Sequence, residues 1–266
     1  MSQHTTFSGA TGKSAGGVLL AAAAAGAVAA AVSSAGTASA TCASISGIGN
    51  GNGCTSTATS FAIGIGSGTT ADANGLFSGA IANGLTNTGT QSTQAFAKGN
   101  FSLAYAGGPN TLAATNGTLN VAVAQGSNVL AQAGNLAQNG DTANVAINIA
   151  NEPASSFGNS VFAGGGPTKA GIGNVALNLG GTGSATRPNE VFAIGTGNLG
   201  AQVLGSGNLV FVGGAISPAT LSSAFAFGGT NNNVNAGPGP SAIAGEINQT
   251  GKTITQTGPG ININNM

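Results

Sequence analysis

After roughly its first forty residues, the chain alternates between larger apolar and smaller or polar positions with a period of two. In Asn144–Ala150, Val145, Ile147 and Ile149 alternate with Ala146 and Asn148, which is the pattern of a strand, not of a helix. Glycine-rich breaks such as Gly164-Gly165-Gly166-Pro167 and Gly180-Gly181-Thr182-Gly183 separate one such run from the next.

The runs also repeat. Asn-Val-Ala-Ile-Asn-Ile-Ala from Asn144 returns as Asn-Val-Ala-Leu-Asn-Leu-Gly from Asn174. Asn159-Ser-Val-Phe-Ala-Gly-Gly matches Asn189-Glu-Val-Phe-Ala-Ile-Gly. The four leading asparagines are spaced by 15 residues, and Asn120 and Asn135 keep that interval. Weaker copies open at Ser60, Asn208 and Ser223, so the repeat covers Thr55 to Gly229. Units this short cannot bury an apolar face alone, whereas stacked coils would each give Val, Ile, Leu or Phe to one continuous core. The pattern therefore predicts an all-β fold, a β-solenoid or β-roll of roughly 15-residue coils over 55–229. Gly would form its corners, and Asn at equivalent corners would form hydrogen-bonded ladders. Val145, Ile147, Val175, Leu177, Val191 and Phe192 are expected in its strands and mostly buried. Val191 and Phe192 cannot both point inward without a bulge. A helical repeat is excluded, because Gly and Asn are poor helix formers. Beyond Thr230 the pattern breaks at Ala236-Gly237-Pro238-Gly239-Pro240 and resumes as short alternating segments. Residues 230–266 are read as a cap or tail that pairs with the last coil, since open solenoid ends need covering.

The N-terminus adds an export signal. A polar opening leads into Ala15–Val32, an uncharged run of Gly, Ala, Val, Leu and Ser-free apolar sequence, followed by Ala38-Ser39-Ala40 as an A-x-A site. Residues 1–40 are read as a signal peptide with a helical core, and a retained anchor is the alternative. Cleavage would start the mature chain at Thr41. Export in turn places Cys42 and Cys54 in an oxidising compartment, where they are expected to form a disulfide closing a loop over 41–54. Such a closure is worth about 3 kcal/mol in the chain-entropy model.

Composition narrows the function. Only 4% of residues are charged, the formal net charge is zero, and Gly alone reaches 48 of 266 residues. With Lys98, Lys169, Arg187 and Lys252 scattered, no surface tracks phosphates, so nucleic acid is not an expected partner. Gly195-Thr196-Gly197-Asn198-Leu199-Gly200 fits G-x-G-x-x-G, but Ala201–Gly207 continues the repeat where a dinucleotide site would open a helix. Gly12-Lys13-Ser14 lacks the first P-loop glycine, and Gly12-Lys13-Ser14-Ala15-Gly16, which matches a nucleophile elbow, has no histidine base in the mature chain. The acids Asp72, Asp141, Glu152, Glu190 and Glu246 do not form a pair by spacing, and Glu152 and Glu190 are expected to be solvated surface charges. No catalytic, cofactor-binding or metal-binding residue is assigned, no cofactor is expected, and the chain is not expected to be an enzyme.

The repeats Asn189-Glu-Val-Phe-Ala-Ile-Gly and Ser60-Phe-Ala-Ile-Gly are similar to the β-roll heads of trimeric autotransporter adhesins. No coiled-coil stalk or membrane anchor accompanies them. The Ala-rich signal, with Ala236-Gly-Pro-Gly-Pro-Ser-Ala-Ile-Ala-Gly and Thr255-Gln-Thr-Gly-Pro-Gly-Ile-Asn-Ile-Asn, resembles secreted Gly/Ala/Asn-rich repeat proteins of mycobacteria. These resemblances imply a secreted or surface-located structural or adhesive protein of the cell envelope, working through an extended, neutral, hydroxyl- and amide-rich surface. The expected partner is an envelope or extracellular surface, with self-association as a homo-oligomer or fibre left open. Asn120-Val-Ala-Val-Ala-Gln-Gly, with Asn128, Gln132, Asn135 and Gln138, loosely resembles curlin repeats, which makes fibre formation the alternative. A polysaccharide-active solenoid enzyme lacks visible residues. A membrane β-barrel lacks aromatic girdles.

Overall fold

The computed structural model describes residues 42–49, 53–135, 140–152, 158–183, 187–214 and 219–265. The expected signal peptide, its helix and the cleavage site before Thr41 lie outside these residues.

The described chain is all-β and solenoid-like. It passes back and forth between two facing sheets, laying one strand on each per coil. Ten strands of the first sheet run parallel: Phe61–Gly66, Gly79–Gly84, Leu103–Gly107, Val121–Ser127, Val145–Asn151, Val175–Leu179, Leu199–Val203, Ser223–Phe227, Ala242–Ile247 and Gly260–Asn265. Its other two strands, Cys42–Ile45 and Ile48–Gly49, form an antiparallel hairpin against Phe61–Gly66. The second sheet stacks the intervening strands from Cys54–Ser56 to Thr253–Gln256, also in parallel register. These open, parallel sheets are not the closed antiparallel barrel considered above.

The spacing of 15 proves to be half a coil. Asn120, Asn144, Asn174 and Asn198 occupy one corner, 24, 30 and 24 residues apart. Asn159, Asn189, Asn208 and Asn232 occupy the opposite corner. The asparagines that looked consecutive belong alternately to two ladders, because each coil carries two strands with similar leading residues. Coil length varies down to 18 residues between Ser60 and Ser78. Extra residues go into the corners, where they build further short ladders such as Thr118–Thr142–Ile172–Thr196.

The orientation of the strands is opposite to the sequence expectation. Val145, Ile147, Val175 and Leu177 lie on the outer face, and their small neighbours face inward. The innermost column of the first sheet reads Ala62, Ala80, Ala104, Ala122, Ala146 and Ala176, all 0% exposed. Opposite it, the second sheet contributes Cys54, Ala71, Ala95, Ala113 and Ala131, then Val161, Val191, Val210, Val234 and Ile254. Val191 is buried while Phe192 turns outward. Steric width decides this. A coil with strands at Phe61–Gly66 and Thr69–Asn74 is joined by only Ser67 and Gly68, so the facing sheets stand too close for two layers of branched side chains. Burying Ile gains more than burying Ala per residue, but overpacking a fixed gap costs more than that difference.

Strand pairing continues in register through Asn233–Ala236, Ala242–Ile247, Thr253–Gln256 and Gly260–Asn265. Residues 230–265 are thus further coils of the same stack, without a break at Gly229. At the other end Cys42 and Cys54 are bonded, with 5.5 Å between their Cα atoms. Cys42 lies on the first sheet beside Gly64, and Cys54 heads the inner column of the second sheet. The disulfide therefore crosses the interior and ties the two sheets together.

Candidate functional site

The interior is held by amides. At the first corner the side-chain oxygen of each asparagine accepts the backbone N–H of its equivalent one coil on: Asn120 from Asn144 at 2.8 Å, Asn144 from Asn174 at 3.1 Å, and Asn174 from Asn198 at 3.2 Å. Ser222 continues the series, donating its N–H to Asn198 Oδ1 and accepting that of Ala242 on its own hydroxyl at 3.1 Å. The second corner repeats the device from Asn159 through Asn189, Asn208 and Asn232 to the N–H of Lys252. Inside the first sheet, Asn148 and Asn178 are linked at 2.9 Å and Gln202 stands next in register. At the corners Asn is tolerated because its carboxamide carries both a donor and an acceptor, which successive coils engage, whereas inside the first sheet Asn178 Oδ1 and Gln202 Oε1 are buried without a hydrogen-bond partner. The corner ladders expected from the asparagine spacing are present, with two corners in place of one.

This use of the backbone removes the dinucleotide motif. Gly195 and Gly197 have φ of 128° and 65°, and they turn the chain from strand Glu190–Thr196 into strand Leu199–Val203 with no helix between. The N–H groups that would cradle a phosphate are all engaged: Gly197 donates to Ile172, Asn198 to the Asn174 side chain, and Leu199 to Ser222. A nucleotide would find no free donors at this turn.

The five acids separate into two groups. Asp72 and Glu190 are half-buried on the outer face of the second sheet, and Asp72 accepts a hydrogen bond from Thr55 at 2.6 Å. Asp141, Glu152 and Glu246 are buried, so the expectation that Glu152 is a solvated surface charge does not hold. Its position after the strand Val145–Asn151 turns it into a corner, where it accepts the N–H of Gly183. Asp141 accepts from the N–H groups of Asn135 and Gly171. Glu246 lies on the inner face, 0% exposed, and accepts from Gln249 N at 3.0 Å. Burial raises its pKa above the ordinary value, opposed by the Gln249 and Asn232 hydrogen bonds. Each buried acid thus serves a different stretch of backbone. Sequence spacing could not reveal this, because burial followed from a face assignment that the pattern left ambiguous.

Among the described residues no group of three or more His, Cys, Asp or Glu is placed to hold a metal ion. Two shallow depressions of about 380 Å³ lie on the surface. One is lined by Asn74, Lys98, Asn100, Asn116 and Thr118, the other by Asn110, Leu112, Asn128, Leu130 and Ser160. Neither brings an acid to a nucleophile.

The most extended surface feature is the outer face of the first sheet. Because register is kept from coil to coil, its outward residues form three columns. The first runs through Phe61, Gly79, Leu103, Val121, Val145, Val175 and Leu199 to Ser223, and the second through Ile63, Ile81, Tyr105, Val123, Ile147 and Leu177 to Ala201, Phe225 and Gly245. The third passes through Asn83, Gly107 and Gln125 before it becomes apolar at Ile149, Leu179, Phe227 and Ile247, which are 43%, 37%, 42% and 38% exposed. No charged residue stands in these columns. The second sheet is more mixed outside, with a row of Phe162, Phe192 and Phe211 whose neighbouring ring centroids are 6.4 and 5.6 Å apart. Sequence reasoning missed the ribbed face because it assigned the same side chains to the core. Neither protein-family models, nor curated proteins, nor solved structures give a match to this chain.

Proposed function

We propose that this chain is an exported structural or adhesive protein of the cell envelope that works through its repeat surface and carries out no reaction. The supporting observation is the ribbed face, which crosses ten strands without a charged residue and is apolar in two of its three columns from Leu103–Gly107 to Leu199–Val203. A surface of this kind offers many weak, equivalent contacts in place of one pocket. It differs from the amide-rich surface expected from composition, since the asparagines of the ladders are turned inward. The test is co-sedimentation of the full chain with envelope fragments, alongside a variant lacking one coil and a Glu190→Gln variant. Binding that weakens gradually with coil number and ignores Glu190→Gln is expected. Failure to bind any envelope fraction, or cleavage of envelope polysaccharide that Glu190→Gln abolishes, would overturn the reading.

A further inference from the structure

We propose that the ribbed outer face of the first sheet is an interface with a second copy of this chain, the two packed face to face about a two-fold axis. The inference goes beyond the structural or adhesive role by assigning one face of the solenoid to self-association.

Area gives the first reason. Ten parallel strands at a spacing of about 4.8 Å extend roughly 43 Å, and five residues per strand extend about 17 Å. The product, on the order of 700–800 Å², is the footprint of the whole uncharged face, its Gly79, Asn83, Gln125 and Ser223 positions included. It matches the ~800 Å² that each partner contributes to a stable interface of standard size.

Shape gives the second. Outward residues two apart on a strand stand about 7 Å from each other, so the three columns are ribs with two grooves between them. Val123, Ile147 and Leu177 form the bulkiest stretch of the middle rib, which drops to Ala201 in the next strand. A partner must present ribs at the same repeat along the whole stack to fill these grooves, and a second copy does so by construction.

Charge gives the third. The cations among the described residues, Lys98, Lys169, Arg187 and Lys252, stand outside all three columns. Nothing on the face draws an anionic membrane or a charged polymer, both of which bind through basic residues. A neutral face also carries no repulsion against its own copy.

The experiment is sedimentation velocity of the full chain with its disulfide intact, across a wide concentration range. Ile147→Lys/Leu177→Lys on the ribbed face is compared with Leu112→Lys/Leu130→Lys on the outer face of the second sheet. Neither pair touches the alanine core, and circular dichroism checks that each variant keeps the wild-type spectrum and melting behaviour. The wild type and the second-sheet variant should be dimers, and the ribbed-face variant should dissociate with a Kd raised at least about 30-fold, as at an interface hot spot. A wild type that stays monomeric at every concentration overturns the proposal. So does a folded ribbed-face variant that dimerises as the wild type does, a three-fold or larger closed species, or a monomer that binds neutral phosphatidylcholine vesicles through this face. Envelope binding by a monomer would overturn this interface alone, and a dimer that binds no envelope material would overturn only the adhesive role.

Discussion

Replacing Asn174 by Ala should cost about 3–5 kcal/mol, a large fraction of a domain's total stability. The side-chain oxygen of Asn174 accepts the N–H of Asn198 at 3.2 Å, and its Nδ2 donates to Asn144 Oδ1 at 2.9 Å, Gly164 O at 3.2 Å and Gly195 O at 2.7 Å. Truncation to Ala leaves the Asn198 N–H buried without an acceptor, at about 1–3 kcal/mol. Loss of the bonds from its two amide hydrogens, shared among three acceptors, adds about 1 kcal/mol per hydrogen at most. The carbonyl of Gly195 is partly spared, because it also accepts from Ile172 N at 3.0 Å. Serine should recover part of the loss, since Ser222 holds the equivalent corner by accepting on its hydroxyl and donating to Gly239 O at 3.0 Å. Aspartate should be worst, because it donates nothing and points a buried charge at carbonyl oxygens. Urea unfolding followed by circular dichroism should rank the residues at this position Asn, Ser, Ala, Asp, with outward-facing Asn233→Ala within about 0.5 kcal/mol of wild type. If Asn174→Ala lies within about 1 kcal/mol of wild type, or Ser is no better than Ala, the ladders do not hold the coils together.

Gly64→Ala should destabilise by about 1–3 kcal/mol, because a Cβ there would lie 2.6 Å from Cys42 Sγ and 2.8 Å from Thr69 Oγ1; a melting temperature equal to wild type would contradict the packing of the first coil. Glu246→Gln should stabilise the protein at neutral pH. The fold raises the pKa of Glu246, so the wild type bears no penalty from this group below the ordinary glutamate value, and the penalty grows as pH climbs towards the raised one and persists above it. The stability difference between variant and wild type should therefore widen with rising pH through that window, and a difference independent of pH would refute the assignment. Deleting Asn144–Gly173 removes one coil and joins Ala143 to Asn174, placing Asn174 in the ladder position of Asn144, next to Asn120. The shortened chain should keep its circular dichroism spectrum and cooperative melting, and a collapsed spectrum would rule out the register.

Strand content, the corner asparagines and the cysteine pair were legible in the sequence because each depends on local chemistry: period-two alternation, carboxamides before each strand, and two thiols 12 residues apart. The inward face was not. In Val145-Ala146-Ile147-Asn148 both alternating sets include apolar residues, and only the narrow coil selects the smaller set. This choice also changes an expectation for Leu177. An aspartate there would be buried and severely destabilising if the larger residues formed the core, but on the outer rib it meets solvent or a partner and leaves the coils intact. The buried environment of Glu152 was illegible for a related reason, since it follows the end of the strand at Asn151, where the chain turns into a corner.

The coil stack has a mechanical consequence. Hydrogen bonds between coils run along the stack, so tension applied along it loads them one coil at a time, as in unzipping. A coil of 24 residues adds only about 4.8 Å to the stack, yet holds about 80 Å of extended chain. Peeling one coil would therefore lengthen the molecule by roughly sixteen times that coil's own contribution, while the remaining coils keep their pairing. At the N-terminal end the Cys42–Cys54 bond keeps the first strand of the second sheet covalently tied to the hairpin. Under load the stack would pay out in steps from its C-terminal coils towards that anchored end, absorbing work like a ratcheted tether.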